Sequence, residues 1–488
     1  MKIWVLNPPF RPKFSRPQRS PAVTKSGTMY FPIWLAYCVG VLEAAGHEVA
    51  FTDAPARSLA HDDIFEMAGQ IRPRLIVMDT STPSIANDLR VAEGLKKRVP
   101  GAFITLVGTH VSALPEETLR ASASVDAIAR REYEHTVREL AAVLSQADAA
   151  SQPKLAAVRG LSFRSNGNII HNEDRPHIEN LDELPWVSRV YQKHLRIADY
   201  FNANALYPMV TLISGRGCPF RCSFCVYPQT LTGRQYRFRS ISDVVDEMEY
   251  VIREFPGAKS VFFEDDTLTA NKKRCLELAD AIIARGAKIP WEANARADLD
   301  LATMRKLRAA GCRELCVGFE SGNQAALNGM RKGIEVGQMF QFMRDARTAG
   351  LLVHGCFMFG FPGETRASIL ETVALALRLK PDTAQFYPVM VYPGTEAYEE
   401  YRGKGWLTAD SYAGWLTSEG LHNCVVCNEH LSSQELVRLC DHARRKFYLR
   451  PAYFVGKMLQ VLKEPGEFRR TARAASVFVK YLVRGSRV

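Results

Sequence analysis

The sequence has no long hydrophobic run. Across its 488 residues, no uncharged apolar stretch reaches the roughly 18–20 residues that a membrane-spanning helix needs. The nearest approach, FPIWLAYCVGVLEAAG (31–46), breaks at Glu43 and reads as a buried helix. The first residues, MKIWVLNPPF, carry one Lys, a short apolar run and Pro-Pro, with no small-residue cleavage pattern, so no secretory signal is expected. No GxGxxG follows the first apolar strand, which excludes a dinucleotide fingerprint there. Short tandem repeats and low-complexity segments are also missing. Residues 1–200 contain a single cysteine, Cys38. The eleven cysteines are an odd number, and Cys38, Cys275 and Cys356 sit singly in apolar surroundings. That usage fits a reducing, cytoplasmic setting better than a disulfide framework.

What is present is ordinary in bulk: 47% hydrophobic and 24% charged residues, as in globular proteins. The length is too great for one core, so two or three domains are expected. The net charge of +11 is unevenly placed, because twelve Lys and Arg between Arg444 and Val488 face only Glu464 and Glu467. A nucleic acid, an anionic membrane surface and a simply solvated basic tail all remain open as explanations.

Apolar strands and helical patterns alternate through residues 1–145, from KIWVL (2–6) to a helix at 134–145. The alternation predicts a doubly wound parallel α/β sheet, whose ligand belongs at the carboxyl ends of the strands. The loops there are NPPF (7–10), TSTPS (80–84) and VGTHVSALPEE (107–117). A linker region follows at 146–205, with a hairpin expected around Asn166-Gly167. From 206 to 400 a second alternation predicts six strands: 209–214, 260–265, 289–295, 314–320, 353–359 and 384–391. Six βα units fit a partial (β/α)6 barrel. Residues 401–488 are expected to be a helical, basic C-terminal region.

The most informative segment is GRGCPFRCSFC (215–225), directly after the first barrel strand. Cys218, Cys222 and Cys225 can wrap three corners of a cubane iron–sulfur cluster, and Gly215 and Gly217 let the backbone turn tightly. A zinc site would want a fourth ligand and a second CxxC knuckle. Cys424 and Cys427 lie some 200 residues away. A ferredoxin-type cluster would want a fourth nearby Cys.

The segment resembles the C-x3-C-x-aromatic-C signature of radical S-adenosylmethionine (SAM) enzymes. In that family three cysteines hold a [4Fe–4S] cluster whose fourth iron binds SAM, and reductive cleavage yields a 5′-deoxyadenosyl radical. The resemblance implies further SAM contacts. Phe224 stands where the family aromatic flanks adenine. FFEDD (262–266) offers Glu264, Asp265 and Asp266 to the methionine amine. EANARADL (292–299) places Arg296 near the SAM carboxylate, and VGFESGN (317–323) places Glu320 and Ser321 toward ribose or carboxylate. GCFMFGFPGET (355–365) supplies Gly360 and Pro362, and VYPGTEAY (391–398) supplies Tyr392.

Residues 1–145 resemble the cobalamin-binding domain that precedes the barrel in one large radical SAM class. That likeness implies cobalamin contacts from Asn7, Thr80, Ser81, Thr82, Gly108, Thr109, His110 and Glu132. Two departures stand out: the D-x-H-x-x-G motif that supplies a cobalt ligand is missing, and the family's Gly before Glu132 is Arg131 here. Within the class, CSFCVYPQT (222–230), YRFRS (236–240), ESGNQ (320–324) and KFYLRP (446–451) are similar to hopanoid-biosynthesis enzymes that form the cyclitol ring of the bacteriohopanetetrol side chain. The implied partners are a small-molecule or lipid substrate and a flavodoxin- or ferredoxin-type electron donor. The basic, aromatic-bearing tail suggests peripheral contact with the inner face of a membrane, and no nucleic acid is expected. Cobalamin-dependent methylation or cyclisation of another lipid, a tetrapyrrole or a natural product is the alternative of the same class. An RNA-modifying methylthiotransferase would need a second cysteine triad before the barrel. A non-catalytic iron–sulfur sensor would need none of the downstream SAM segments. An auxiliary cluster on Cys424, Cys427 and Cys440 is not expected, because CVVC lies in an apolar run without cluster-loop glycines.

Overall fold

The computed structural model describes residues 1–146 and 152–463, together with 468, 471, 472, 475, 476, 479, 482, 485 and 486. Seven strands make the first sheet: β1 (Lys2–Asn7), β2 (Glu48–Asp53), β3 (Leu75–Asp79), β4 (Phe103–Val107), β5 (Ala127–Ala129), β6 (Leu161–Ser165) and β7 (Asn168–His171). Their spatial order is β2-β1-β3-β4-β5-β6-β7, with β1 to β5 parallel. Val, Ile and Leu fill both faces of β1 and β3 because helices cover both sides. The helix Ile33–Ala44 has ten buried residues and no polar face. It packs against the helices Glu134–Leu144 and Val187–His194, which explains why its apolar character is not confined to one stripe.

The hairpin turns at Asn166 and Gly167, both with positive φ (48° and 80°), the geometry a two-residue turn favours. Expected in the linker, it instead pairs through β6 with β5 and extends the first sheet to residue 171. The rest of the linker docks by its own apolar residues, with Val187, Val190 and Tyr191 buried in the shared core. The part of the linker at 147–151 lies outside the described residues.

The second sheet has six parallel strands: β8 (Met209–Leu212), β9 (Ser260–Phe263), β10 (Trp291–Ala295), β11 (Cys312–Glu320), β12 (Leu352–Phe359) and β13 (Thr383–Pro388). They run in sequential order from β8 to β13, which makes the open, partial barrel the alternation predicts. Phe319, Phe357 and Phe386 stack on its outer face. The helix Ser433–Tyr448 covers the edge strand β13. There the Tyr448 hydroxyl donates to Ala384 O (2.6 Å) and accepts from Ala384 N (2.9 Å), satisfying an edge that would otherwise be bare.

The C-terminal region is less helical than expected. Helices cover Glu396–Gly403, Ser433–Tyr448 and Pro451–Lys463. Residues 404–432 form irregular chain with one 3-10 turn at Tyr412–Trp415 and short bridges Leu407–Val426 and Leu416–His422. That stretch is rich in Gly, Ser, Thr and Asn and has no 3.6-residue apolar period. Much of the basic tail beyond 463 lies outside the described residues.

Candidate active site between the two domains

The carboxyl ends of the two sheets face one another, and a crossing segment, residues 8–30, runs between them. It is pinned to the first domain by Arg16, a buried side chain that donates to Asp88 Oδ1 (2.5 Å), Asn7 Oδ1 (2.8 Å) and Pro8 O (2.6 Å). It is pinned to the C-terminal region by Arg11 to Ser418 O (2.7 Å) and Val23 N to Gly420 O (2.8 Å).

The cysteine loop leaves β8 through a two-stranded ribbon, Gly215–Arg216 against Arg237–Phe238. Gly217 has φ +87°, and a Cβ there would lie 2.1 Å from Gln235 O, so only glycine lets the loop pass. Its N–H donates to Asp266 Oδ2 (3.0 Å), which also accepts from Thr232 Oγ1 (2.7 Å). Asp265 accepts from Ser214 N (2.7 Å), Ser214 Oγ (2.8 Å) and Tyr236 Oη (3.0 Å). Two of the three carboxylates singled out at 264–266 therefore hold the loop.

Glu264 is different. Its Oε1 accepts from Arg19 Nη1 (2.9 Å), while Oε2 is buried with no hydrogen-bond partner. Glu320 repeats the pattern: one oxygen pairs with Lys332 Nζ (2.7 Å) and Oε2 is buried and unpartnered. Glu320 also has φ +65° at a β-bulge in β11, a strained placement of the kind found at ligand sites.

Burial favours the neutral thiols. It pushes Cys218 up to about 11 and Cys225 higher still, Asp266 adding to the effect and Arg19 opposing it. Lys332 interacts electrostatically with Cys222. Three free thiols on one loop with two cations at hand suit an anionic, thiolate-bound cluster. The orphaned oxygens of Glu264 and Glu320 suit a ligand that brings its own hydrogen-bond donors.

The remaining SAM-type positions are gathered less uniformly. Phe224 meets Phe361 at 5.6 Å between ring centroids. Arg296 lies over Phe220 at 3.5 Å and donates to Asp298 and to Gly333 O. Gly360 N donates to Glu364, beside half-buried Pro362. Ser321 is fully buried against Glu364 and Thr372. The Tyr392 hydroxyl bonds Ser20 of the crossing segment at 2.9 Å.

On the opposite face, a cavity of about 20 Å³ is lined by Asp79, Thr80, Gly108 and Thr109 from the first domain, Arg16 and Pro17 from the crossing segment, and Trp34, Tyr133, Tyr227 and Leu231. Gly108 has φ +115°, and a Cβ there would meet Thr80 O at 2.5 Å. The Tyr133 hydroxyl is buried without a partner. Asp79, Thr80, Thr109 and Tyr133 supply polar groups of the kind that would meet the amide side chains of a corrin, although the cavity as it stands is too small to admit one. Asn7, Ser81, Thr82 and His110 do not line this cavity and bond protein groups instead. His110 bonds Thr82 Oγ1 (3.2 Å), packs edge-on against Tyr412 and is held neutral, burial lowering it to about 3. Glu132 is not available at all. Arg237 takes both its oxygens (2.8 and 2.6 Å) and Ile178 N donates to one (2.9 Å), so it braces the first domain to the cysteine-loop ribbon.

Arg19, Arg237, Lys332 and Tyr227 carry much of this geometry and are not apparent from motifs. The one signal for Arg19 is local: Arg16-Pro17 and Arg19 fall in the loop after β1, where a doubly wound sheet places its ligand. Cys424 and Cys440 are buried. The thiols of Cys424 and Cys427 point to the carbonyls of Val426 (3.3 Å) and Trp406 (3.5 Å).

The Radical SAM superfamily profile matches residues 212–376, and a B12 binding domain profile matches residues 19–141. An uncharacterized methyltransferase of Pyrococcus horikoshii is 30% identical over 456 residues, covering 93% of this chain and 94% of its own. An anaerobic magnesium-protoporphyrin IX monomethyl ester cyclase of Cereibacter sphaeroides is 26% identical over 436 residues, covering 87% and 68%. Among solved structures, the radical SAM methyltransferase TsrM of Kitasatospora setae, with cobalamin and a [4Fe–4S] cluster bound, shares the fold at a TM-score of 0.70. It is 18% identical and covers 91% of this chain and 90% of its own.

Proposed function

As this chain belongs to the radical SAM superfamily, in the group whose barrel follows a B12-binding domain, we propose that it modifies an unactivated carbon of a lipid-like substrate, the specific reaction being ring formation in the cyclitol side chain of a hopanoid. It is an enzyme whose cofactors are a [4Fe–4S] cluster, SAM and cobalamin. When bound, the cluster supplies the electron that cleaves SAM and SAM supplies the radical that takes a hydrogen atom from the substrate.

The protein's part is to hold and orient. Cys218, Cys222 and Cys225 hold the cluster. Glu264 receives the SAM ammonium on its free oxygen, with Asp265 and Asp266 fixing the loop behind it. Arg296 and Glu320 face the carboxylate and ribose, and Phe224, Gly360 and Pro362 border the adenine, with Ser321 and Tyr392 supporting them from the second layer. Thr80, Gly108 and Thr109 would meet cobalamin when it is bound, while Asn7, Ser81, Thr82, His110 and Glu132 would hold the surrounding loops. The observation that carries this reading is the pair of unpartnered, buried carboxylate oxygens of Glu264 and Glu320 beside a three-thiol loop at the carboxyl ends of the barrel strands.

Two features support an amphiphilic substrate. Cys316, Cys356, Gln385 and Tyr387, on the barrel face opposite the Phe stack, are not buried, so the lumen is accessible. The helix Pro451–Lys463 also exposes Phe454, Val455, Met458, Leu459 and Leu462, each more than half accessible, on one stripe. Arg450 and Lys457 flank that stripe, a pattern suited to an anionic membrane surface. Among the described residues no helix is long and apolar enough to cross a membrane. The stripe therefore supports peripheral contact at the inner face, with a flavodoxin- or ferredoxin-type donor supplying electrons.

Methyl transfer is the second reading, favoured by the 30%-identical relative described as a methyltransferase. Lipid profiles of a deletion strain test the substrate: loss of the ring-bearing hopanoid supports the proposal, and an unchanged profile overturns it. S-adenosylhomocysteine formed in step with product decides for methyl transfer; 5′-deoxyadenosine alone decides for ring formation.

A further inference from the structure

The barrel does not complete its own ligand site. Glu264, at the end of β9, owes its orientation to Arg19, which lies 245 positions earlier in sequence on the crossing segment. Arg19 Nη1 donates to Glu264 Oε1 (2.9 Å), and Nη2 donates to Asp265 O (3.0 Å) and approaches Asp266 Oδ1 (3.4 Å). The guanidinium lies 5.3 Å from the Tyr227 ring centroid, two residues beyond Cys225. Each contact removes a degree of freedom. The two nitrogens bridge backbone and side chain of the same turn, and the ring fixes the plane of the fork. The result is a carboxylate with one oxygen saturated and the other, Oε2, buried and unpartnered. Burial raises the Glu264 pKa above the ordinary glutamate value, Arg19 opposing this and Asp266 adding to it.

We propose that Arg19 is a positioning residue for SAM, supplied to the barrel by the first domain, which orients Glu264 so that its free oxygen is turned toward the ligand ammonium. The proposal rests on Glu264 being that contact. Three residues before it, Arg16 is locked to Asp88 and Asn7 in the first domain, so the SAM site is tied to the domain that carries cobalamin. Lysine at position 19 could restore the charge but not the bridging fork.

The test is equilibrium binding of SAM to the full-length, cluster-reconstituted chain, read beside the electron paramagnetic resonance of the reduced cluster with and without SAM. Arg19→Ala is expected to weaken SAM binding roughly tenfold to a hundredfold, the range for losing a charge-assisted hydrogen bond. It should also abolish the SAM-induced change in the cluster signal while iron content stays at wild-type level. Arg19→Lys should recover part of the affinity. In the double variant with Glu264→Gln, adding Arg19→Ala should cost nothing further, because Arg19 acts through that carboxylate. Wild-type affinity in Arg19→Ala, or fully additive losses in the double variant, overturns the role of Arg19. Unchanged SAM binding in Glu264→Gln alone overturns the assignment of Glu264, and with it this inference.

Discussion

Arg237 grips Glu132 with two hydrogen bonds, 2.8 and 2.6 Å long, across the boundary between the two domains. Both side chains are buried, and Arg216, next to the cysteine loop, lies within 3.6 Å of the same carboxylate. Burial opposes ionisation of Glu132, but Arg237 and Arg216 outweigh it and hold its pKa below the ordinary glutamate value. Removing one partner leaves a buried charge without its counterion, which costs about 3–5 kcal/mol. Glu132→Ala is therefore expected to lower the melting temperature and to release the ribbon that carries the cluster loop. Thermal melting and iron content per chain check both effects, and a variant that melts like wild type contradicts the brace.

Asp266 and Glu264 separate by function. Asp266→Ala removes the acceptor for Gly217 N–H and Thr232, so the cysteine loop loses its anchor and cluster retention should fall severalfold. Glu264→Gln leaves the loop bonds intact, and iron content should stay at the wild-type level. Iron and sulfide analysis of the two variants after identical reconstitution distinguishes them.

Much of this architecture is legible in the sequence. The strand at 2–6, the helix at 134–145 and the hairpin turn at Asn166-Gly167 read directly, because period and turn chemistry are local properties. The cysteine loop is equally legible from its spacing at a strand end, whereas the family resemblance points to the carboxylates at 264–266 without choosing among them. Glu132 shows the limit. Its place before the last helix of the first domain gives no hint that Arg237, 105 positions away, consumes it. The irregular stretch 404–432 escapes for another reason: its contacts, such as His422 with Ser20, are made across 402 positions and leave no periodic trace.

Asp79 supplies a pH dependence. Burial is the largest influence and raises it to about 7, Arg16 opposing and Asp88 reinforcing. A carboxyl with a raised folded-state pKa binds its proton more tightly when folded than when unfolded. Its contribution is thus favourable below the unfolded value and is lost as pH rises toward 7. Asp79→Asn should melt close to wild type near pH 4 and several degrees higher near pH 8. Equal melting temperatures at both pH values contradict the burial argument.

His110, neutral and packed between Thr82 and Tyr412, is expected to act as a packing residue. His110→Ala leaves a cavity beneath the first domain's loops and should cost roughly 2–4 kcal/mol, in the range of large-to-small core substitutions. Denaturant unfolding measures the loss, and Tyr412→Ala should show a comparable one.

The central claim is that Cys218, Cys222 and Cys225 hold a cluster at which SAM is reductively cleaved. The most direct measurement is 5′-deoxyadenosine formed by the anaerobically reconstituted chain given SAM and dithionite. Wild type should produce it, and Cys222→Ala should produce none. No 5′-deoxyadenosine from fully reconstituted wild type, or undiminished formation by Cys222→Ala, contradicts the account.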